Sequence, residues 1–245
     1  MSGYFDKKYA DYWKERVGTA ADGTKVPGED VERFFIQKAN IAPSDRVLDL
    51  GCGHGRLYPL LREFTEHVYG TDINEAALKE AKQYPYKKLG VGSAEKTGLD
   101  SDYFDKIVAW GVYDGVEQEK ALREQNRILK NGGALLITGK NKDYEADDEK
   151  AFTAETNAAS KGFPNHFTDV YGLMRDIGAL GYEVLEGYGF ARRGDFGEMK
   201  FFALSAAQPR RFYEFLLILR KTGAPAAQHL EICYEHSNRY KESNG

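Results

Sequence analysis

Residues 46–57, RVLDLGCGHGRL, set glycines at 51, 53 and 55 behind a short apolar run that carries a single carboxylate, Asp49. Glycine permits positive φ and lets a ligand approach the backbone with no Cβ in the way. In an open α/β sheet, a strand-to-helix loop of this kind offers free N–H groups and a helix N-terminus to whatever sits above the strand ends. A tight turn with no ligand has the same glycine requirement, so the loop alone decides nothing. Two more stretches do. HVYGTDIN presents Asp72 about 20 residues further on, where an acidic side chain takes both ribose hydroxyls of a nucleoside, and VGSAEKTGL presents Ser93, Ala94 and Glu95 at the next strand end.

The glycine spacing is G-x-G-x-G, with Asp49 two residues ahead of the first glycine. Dinucleotide enzymes use G-x-G-x-x-G and aim a helix dipole at a pyrophosphate; a carboxylate there would repel it. The same carboxylate attracts an ammonium and a sulfonium. The loop therefore suits an amino-acid-bearing nucleoside cation, and a nicotinamide-dependent oxidoreductase on the same sheet is the competing enzyme class.

Positioning these residues requires alternating short apolar runs and helical stretches. The pattern predicts strands at about 46–50, 67–72, 86–91, 104–109 and 133–138, with helices over 55–65, 74–83 and 117–129, hence parallel pairing through crossovers. KNGG, 130–133, stops one helix and launches the next strand. Further on, a polar helix follows an acidic run (143–149) read as solvated, and another helix spans 168–180. YEVLEGYGF and FYEFLLILRKT supply two late strands, the second apolar enough to be buried on both faces. Upstream, a helix is expected at 29–39.

The chain has 245 residues, 42% of them hydrophobic, and a formal charge of −4. Its dense basic pairs, such as Lys87-Lys88, Arg192-Arg193 and Arg210-Arg211, are scattered along the chain, so no basic stripe marks a nucleic-acid surface. No window reaches the roughly 18 apolar residues of a membrane span, and the N-terminus lacks the apolar centre of a signal peptide. Two cysteines, Cys52 and Cys233, make neither a disulfide framework nor a metal cluster. The expectation is a cytoplasmic protein with no nucleic-acid or membrane partner and no metal.

VLDLGCGHGRL, followed in order by VYGTDIN, GSAEKTGLDSDYFDKIVAW and RILKNGGALLITG, resembles the class I S-adenosylmethionine-dependent methyltransferases over about residues 45–140. The resemblance implies a Rossmann-like α/β fold: a mostly parallel seven-stranded sheet, helices on both faces, an antiparallel last strand and an N-terminal helical cap. It implies one domain over 1–245, with the cap at 1–40, a cofactor-binding half at 41–140, a substrate-side half at 141–222 and a tail at 223–245. Asp49, Gly51 and Gly53 would lie against the methionine part of S-adenosylmethionine, with Cys52 a small loop residue among them and not a nucleophile. Asp72 would hold the ribose, Ile73 would pack on the adenine, and Ser93, Ala94 and Glu95 would approach its edge. Trp110 and Gly111 would border the methionine end. The segment YADYWKER is similar to the family's cap helix; Tyr4, Tyr9, Tyr12 and Trp13, close to helical spacing, either form an aromatic lid over the site or pack in the core. S-adenosylhomocysteine would be the product.

A sulfonium is already an activated electrophile, so lining up the acceptor and excluding water achieve much; a base is needed only where the acceptor loses a proton. His166 is the candidate base because imidazole titrates near neutrality, against the plainer reading of a loop histidine beside the 168–180 helix. Asp114, Asn141 and Asp143 are similar to the oxygen ligands of the metal-dependent catechol methyltransferases, but their spacing departs from that pattern. No D/N-P-P-Y/W follows the fourth strand, where WGVYDG stands, which disfavours adenine-N6 or glutamine methylation. No second cysteine near the site supports pyrimidine C5 chemistry, and the paired-glutamate loop of arginine methyltransferases is missing. The expectation is O- or N-methylation of a small molecule such as a sugar, glycan precursor or secondary metabolite. The alternatives are a protein or RNA acceptor, or a cofactor-binding regulator without turnover. The sequence does not address the oligomeric state.

Overall fold

The computed structural model describes residues 29–162 and 164–244. The aromatic residues Tyr4, Tyr9, Tyr12 and Trp13 lie outside them. The elements follow in the order α1 (Glu29–Lys38), β1 (Val47–Leu50), α2 (Tyr58–Arg62), β2 (Val68–Asp72), α3 (Glu75–Ala81), β3 (Lys88–Val91), β4 (Phe104–Ala109), α4 (Gln118–Ile128) and β5 (Leu129–Lys140). Then come α5 (Glu149–Ser160), β6 (Phe167–Thr168), α6 (Val170–Asp176), β7 (Tyr182–Phe190), β8 (Phe202–Ala203), β9 (Glu214–Lys221), β10 (Cys233–Tyr234) and α7 (Asn238–Asn244).

The main sheet has eight strands in the order β3-β2-β1-β4-β5-β9-β7-β8. β1 to β5 pair in parallel, and β9 enters antiparallel between β5 and β7. The strand beyond the expected seven is β8, two residues pairing on the edge of β7. β1 is buried along its whole length, as a central parallel strand covered by helices on both faces must be. One face packs Leu48, Leu50, Ile107 and Leu135 against Ala121 and Leu122 of α4 and Leu173 of α6. The other packs Val47, Val108, Leu136 and Ile218 against Val31, Phe35 and Ile36 of α1 and Leu61 of α2.

Residues opposite one another in a sheet share a face, so the register lays out this second face in rungs. Asp49, Val108, Leu136 and Ile218 form one rung. Thr138, Leu216 and Tyr188 form another, and Lys140, Glu214 and Phe190 the next, at the C-terminal ends of β5 and β7. Trp110, two residues beyond Val108, packs at the margin of the same core.

Three expectations change. The helix after the glycine loop is one short turn, Tyr58–Arg62, and not 55–65: Gly55 sits at φ +83, outside helical space, and Pro59 has no N–H to give the Gly55 carbonyl. The acidic run is not simply solvated, because Asp148 is buried and caps α5 by accepting from the Ala151 N–H. The segment after β9 does not trail away: β10 pairs with β6, and buried Ser237 donates its hydroxyl to Glu155 at 2.7 Å.

Candidate cofactor and acceptor site

The glycine loop joins β1 to α2 at the C-terminal edge of the sheet. The loop reading expected free N–H groups, but four of them are engaged. Gly51 and Cys52 both donate to the Thr71 carbonyl at the end of β2, and Gly55 donates to the Cys52 carbonyl. Gly53 donates to Asp72 Oδ2 at 2.8 Å. The loop is thus stitched to β2, which fixes Asp72 relative to Asp49. Gly51 is required by a neighbour: at φ +72, a Cβ there would stand 2.5 Å from Val112 Cγ2. Gly53 and Gly111, at φ +52 and +70, face open space, so these two leave room for a ligand.

Asp49 is 2% exposed. Its described hydrogen bond comes from the Tyr86 hydroxyl, at 2.9 Å to Oδ2. Burial pushes the carboxyl up to about 7, against that bond and the Arg56 guanidinium, with Asp72 and Glu32 adding to the rise. A buried carboxylate with so few donors costs free energy until a cation arrives.

Asp72 accepts from the Gly53 and Asn74 N–H groups, one on each oxygen, which leaves each oxygen a lone pair, since a carboxylate has about four acceptor sites. Burial raises its pKa against those bonds. Beside it Ile73 is 39% exposed, a bare apolar side chain next to a polar one. Ser93 Oγ accepts from the Glu95 N–H, and Glu95 Oε1 from the Glu117 N–H at 2.8 Å; Ala94 is buried. Cys52 is buried with its thiol pushed up by burial, then by Asp49 and Asp72, and is inert as a nucleophile. Gly111 is held by its N–H donating to Thr138 Oγ1 at 2.8 Å, and Trp110 meets Phe196 edge-on at 5.5 Å between centroids. Asp49, Gly53, Asp72, Ile73, Trp110 and Gly111 therefore gather along the ends of β1, β2 and β4.

His166 is tied to the β4–α4 loop. Its Nδ1 lies 2.8 Å from the Val116 carbonyl oxygen. The Cys233 side chain, then that carbonyl and Glu235, outweigh burial and push the imidazole up to about 9. These contacts join the β4–α4 loop to β6 and β10, and a protonated imidazole, having no lone pair for a proton, counts against His166 as the base. Asp114 is paired with Lys140 Nζ at 2.7 Å, and Asn141 turns its amide N–H groups to the carbonyls of Asp143 and Phe212. Asp114 and Asn141 are thus committed to the protein, while the Asp143 carboxylate is partly exposed, 3.5 Å from Arg211 Nε. Among the described residues no group of three or more His, Cys, Asp or Glu side chains is disposed to hold a metal ion, and no helix is long and apolar enough to cross a membrane.

Sequence reasoning missed a second polar group at the ends of β5 and β9. Lys140 Nζ donates to Asp114 and Asn165. Burial lowers the Lys140 pKa but Asp114 outweighs it, so the ammonium stays charged. Glu214 stands opposite Lys140 in the sheet, and Arg193 Nη1 donates to the Tyr213 hydroxyl at 2.9 Å. The signal was in FYEFLLILRKT: a lone acid at the tip of an apolar strand that the fold brings to the functional edge.

Residues 48–137 match the family described as a methyltransferase domain. An uncharacterised protein of Methanocaldococcus jannaschii is 37% identical over 109 residues, 44% of this chain and 41% of that protein. The ubiquinone/menaquinone biosynthesis C-methyltransferase UbiE of Bordetella avium is 34% identical over 116 residues, 42% of this chain and 44% of that one. The chain spans less than half the length of these curated relatives. The solved magnesium protoporphyrin IX methyltransferase of Synechocystis PCC 6803, with bound SAH, matches 89% of this chain and 96% of its own, with a TM-score of 0.59 at 16% identity, a likeness of fold. Residues 48–137 thus match a methyltransferase domain, and the β3-β2-β1-β4-β5 order with the antiparallel β9 is the Rossmann-like fold of the solved methyltransferases it is similar to.

Proposed function

We propose that the chain transfers the methyl group of S-adenosylmethionine to an oxygen or nitrogen atom of a small molecule. The observation that carries this reading is Asp49: a carboxyl 2% exposed, with the Tyr86 hydroxyl as its one described donor, beside the open positions at Gly53 and Gly111. The residues fit the cofactor. Asp49 would neutralise the ammonium, Asp72 would accept from the ribose hydroxyls with its remaining lone pairs, and exposed Ile73 would cover one adenine face. When bound, S-adenosylmethionine supplies a methyl group activated by its positive sulfur. Trp110 and Gly111 would then wall the methyl-bearing end, excluding water, while the Lys140–Asp114 and Glu214 groups face the acceptor side. The recessed, mixed-charge character of that second set supports a small acceptor over a polymer. The name of the Bordetella relative favours a second reading, transfer to carbon.

The test is label transfer from methyl-labelled S-adenosylmethionine into an extract of the source cells. Label in the low-mass fraction is expected, and NMR of the product identifies the atom methylated. Label in precipitated protein or RNA would overturn the small-molecule acceptor, and no label with intact cofactor binding would favour a regulator. Asp72→Ala serves as the blank. It should raise the cofactor dissociation constant about tenfold to hundredfold, from charge-assisted bonds worth roughly 1.5–3 kcal/mol; unchanged affinity by calorimetry would remove Asp72 from the ribose.

A further inference from the structure

We propose that Glu214 is the proton acceptor of the transfer, so that the acceptor is a compound whose nucleophilic atom carries a proton to be lost. The inference rests on the methyl-transfer reading above.

Glu214 opens β9, where that strand meets the C-terminal ends of β5 and β7. Its register partners, Lys140 and Phe190, put it on the same sheet face as Asp49 and Thr138. From Trp110 it is two strands across and one rung up, roughly 12 Å at ordinary strand spacings, a gap that one small molecule laid over β5 can span. The side chain is half-buried, yet no described residue gives it a hydrogen bond or an ion pair.

That solitude is informative because a partner stands opposite. Lys140 sends its ammonium to Asp114 and Asn165 instead, and Arg193 sends its guanidinium to the Tyr213 hydroxyl. The charged groups that bear most on Glu214 are Arg193 from the loop after β7, Lys140 from β5, Asp114 from the loop after β4 and Asp148 at the start of α5. Burial pushes the Glu214 carboxyl up to about 7, with Arg193 and Lys140 opposing and Asp114 and Asp148 adding to the rise. A carboxylate of that basicity takes a proton at neutral pH far better than an ordinary glutamate, because a base works best when its pKa lies near the working pH.

The step balances. The acceptor atom forms its bond to the methyl carbon as the carbon–sulfur bond breaks, with that electron pair staying on sulfur. The proton of the acceptor passes to a Glu214 carboxylate oxygen and leaves to solvent after product departs. The positive charge lost at sulfur is matched by the negative charge lost at Glu214.

The experiment pairs two readouts on the wild type, Glu214→Gln and Glu214→Asp. With glutamate side-chain carboxyl carbons labelled, carbon NMR should show one carboxyl titrating near 7 that is missing from Glu214→Gln. In label transfer from S-adenosylmethionine to the low-mass fraction, the wild-type rate should rise with pH through about 7. Glu214→Gln should lose about a hundredfold or more at pH 7.5, lose the pH dependence and keep its cofactor affinity by calorimetry; Glu214→Asp should retain part of the rate. A Glu214→Gln rate within about threefold of wild type, or no carboxyl titrating near 7, overturns the role of Glu214 alone. A wild type that binds the cofactor and transfers nothing to any fraction overturns the methyl-transfer reading and this role with it.

Discussion

Replacing Asp49 by asparagine should make the protein without cofactor more stable and the cofactor weaker, both in a pH-dependent way. The side chain keeps its shape and can still accept from the Tyr86 hydroxyl, so the change removes charge and little else. In the fold the Asp49 carboxyl is raised from an ordinary 3.8 to about 7, chiefly by burial. An acid with a raised folded pKa holds its proton in the native state while the unfolded chain has released it. Stability therefore falls as pH rises from about 4 to about 7 and levels off above. The full interval is worth roughly 4 kcal/mol. Asp49→Asn should show none of this fall from position 49, gaining up to that amount at pH 8 and nothing from this source at pH 4. A bound ammonium needs the ionised carboxylate, so wild-type affinity for S-adenosylmethionine should be about tenfold weaker at pH 6 than at pH 8, since only about a tenth of a group titrating near 7 is ionised at pH 6. The variant should bind about tenfold to hundredfold more weakly at pH 8, with a flatter pH profile. Urea denaturation from pH 4 to 9, with calorimetric titration at pH 6 and 8, measures both. A variant no more stable than wild type at pH 8, or one that binds as tightly there, would refute the placement of a strained carboxylate at the cofactor's amino end.

Two further substitutions probe the scaffold. Gly51→Ala should destabilise the fold by two separable routes, a left-handed φ worth about 1–2 kcal/mol and the contact with Val112 Cγ2. Adding Val112→Ala should recover the second part only, and a fully additive double-mutant cycle in urea would refute the contact. His166→Ala should leave transfer at pH 7.5 nearly intact while lowering the melting temperature. The folded imidazole is raised to about 9, so its stabilisation is fully present below pH 6.5 and fades as pH rises through 9. Wild type and variant should therefore converge in melting temperature above that pH; a loss of transfer at constant cofactor affinity would restore His166 to the chemistry.

The gathering of Asp49, Gly53 and Asp72 at one sheet edge was legible because its constraints are local. Glycines at 51 and 53, Asp49 at a strand end and Asp72 at the next are spaced by the geometry of one βαβ unit, and a single sequence displays that spacing. The length of α2 was not legible, because the helical pattern after Gly55 is sound until Pro59 withholds the bond that would start it earlier. His166 stood out by residue type alone. What surrounds it, the Val116 carbonyl and the Cys233 side chain, comes from segments 50 and 67 residues away in sequence. β8, β6 and β10 escaped notice because two-residue strands carry no periodicity.

Glu214 shows why the acceptor half resists reading. Its position is set by the insertion of β9 between β5 and β7, a crossing that brings residue 214 beside residue 140 and residue 190. An isolated charge before an apolar strand is ordinarily a solvated strand end. Here the antiparallel direction of β9 turns that end onto the edge where β1, β2 and β4 deliver Asp49, Asp72 and Trp110. Had β9 run parallel to β5, its first residue would sit at the opposite edge. One reversed strand thus lets a fold whose parallel strands all finish at the same edge also start a strand there. It places a carboxyl under burial at each end of the same face, and both stand near 7. On the proposed reading a cation would relieve that strain at the donor end and a proton at the acceptor end, which is the division of labour that methyl transfer to a protonated nucleophile requires.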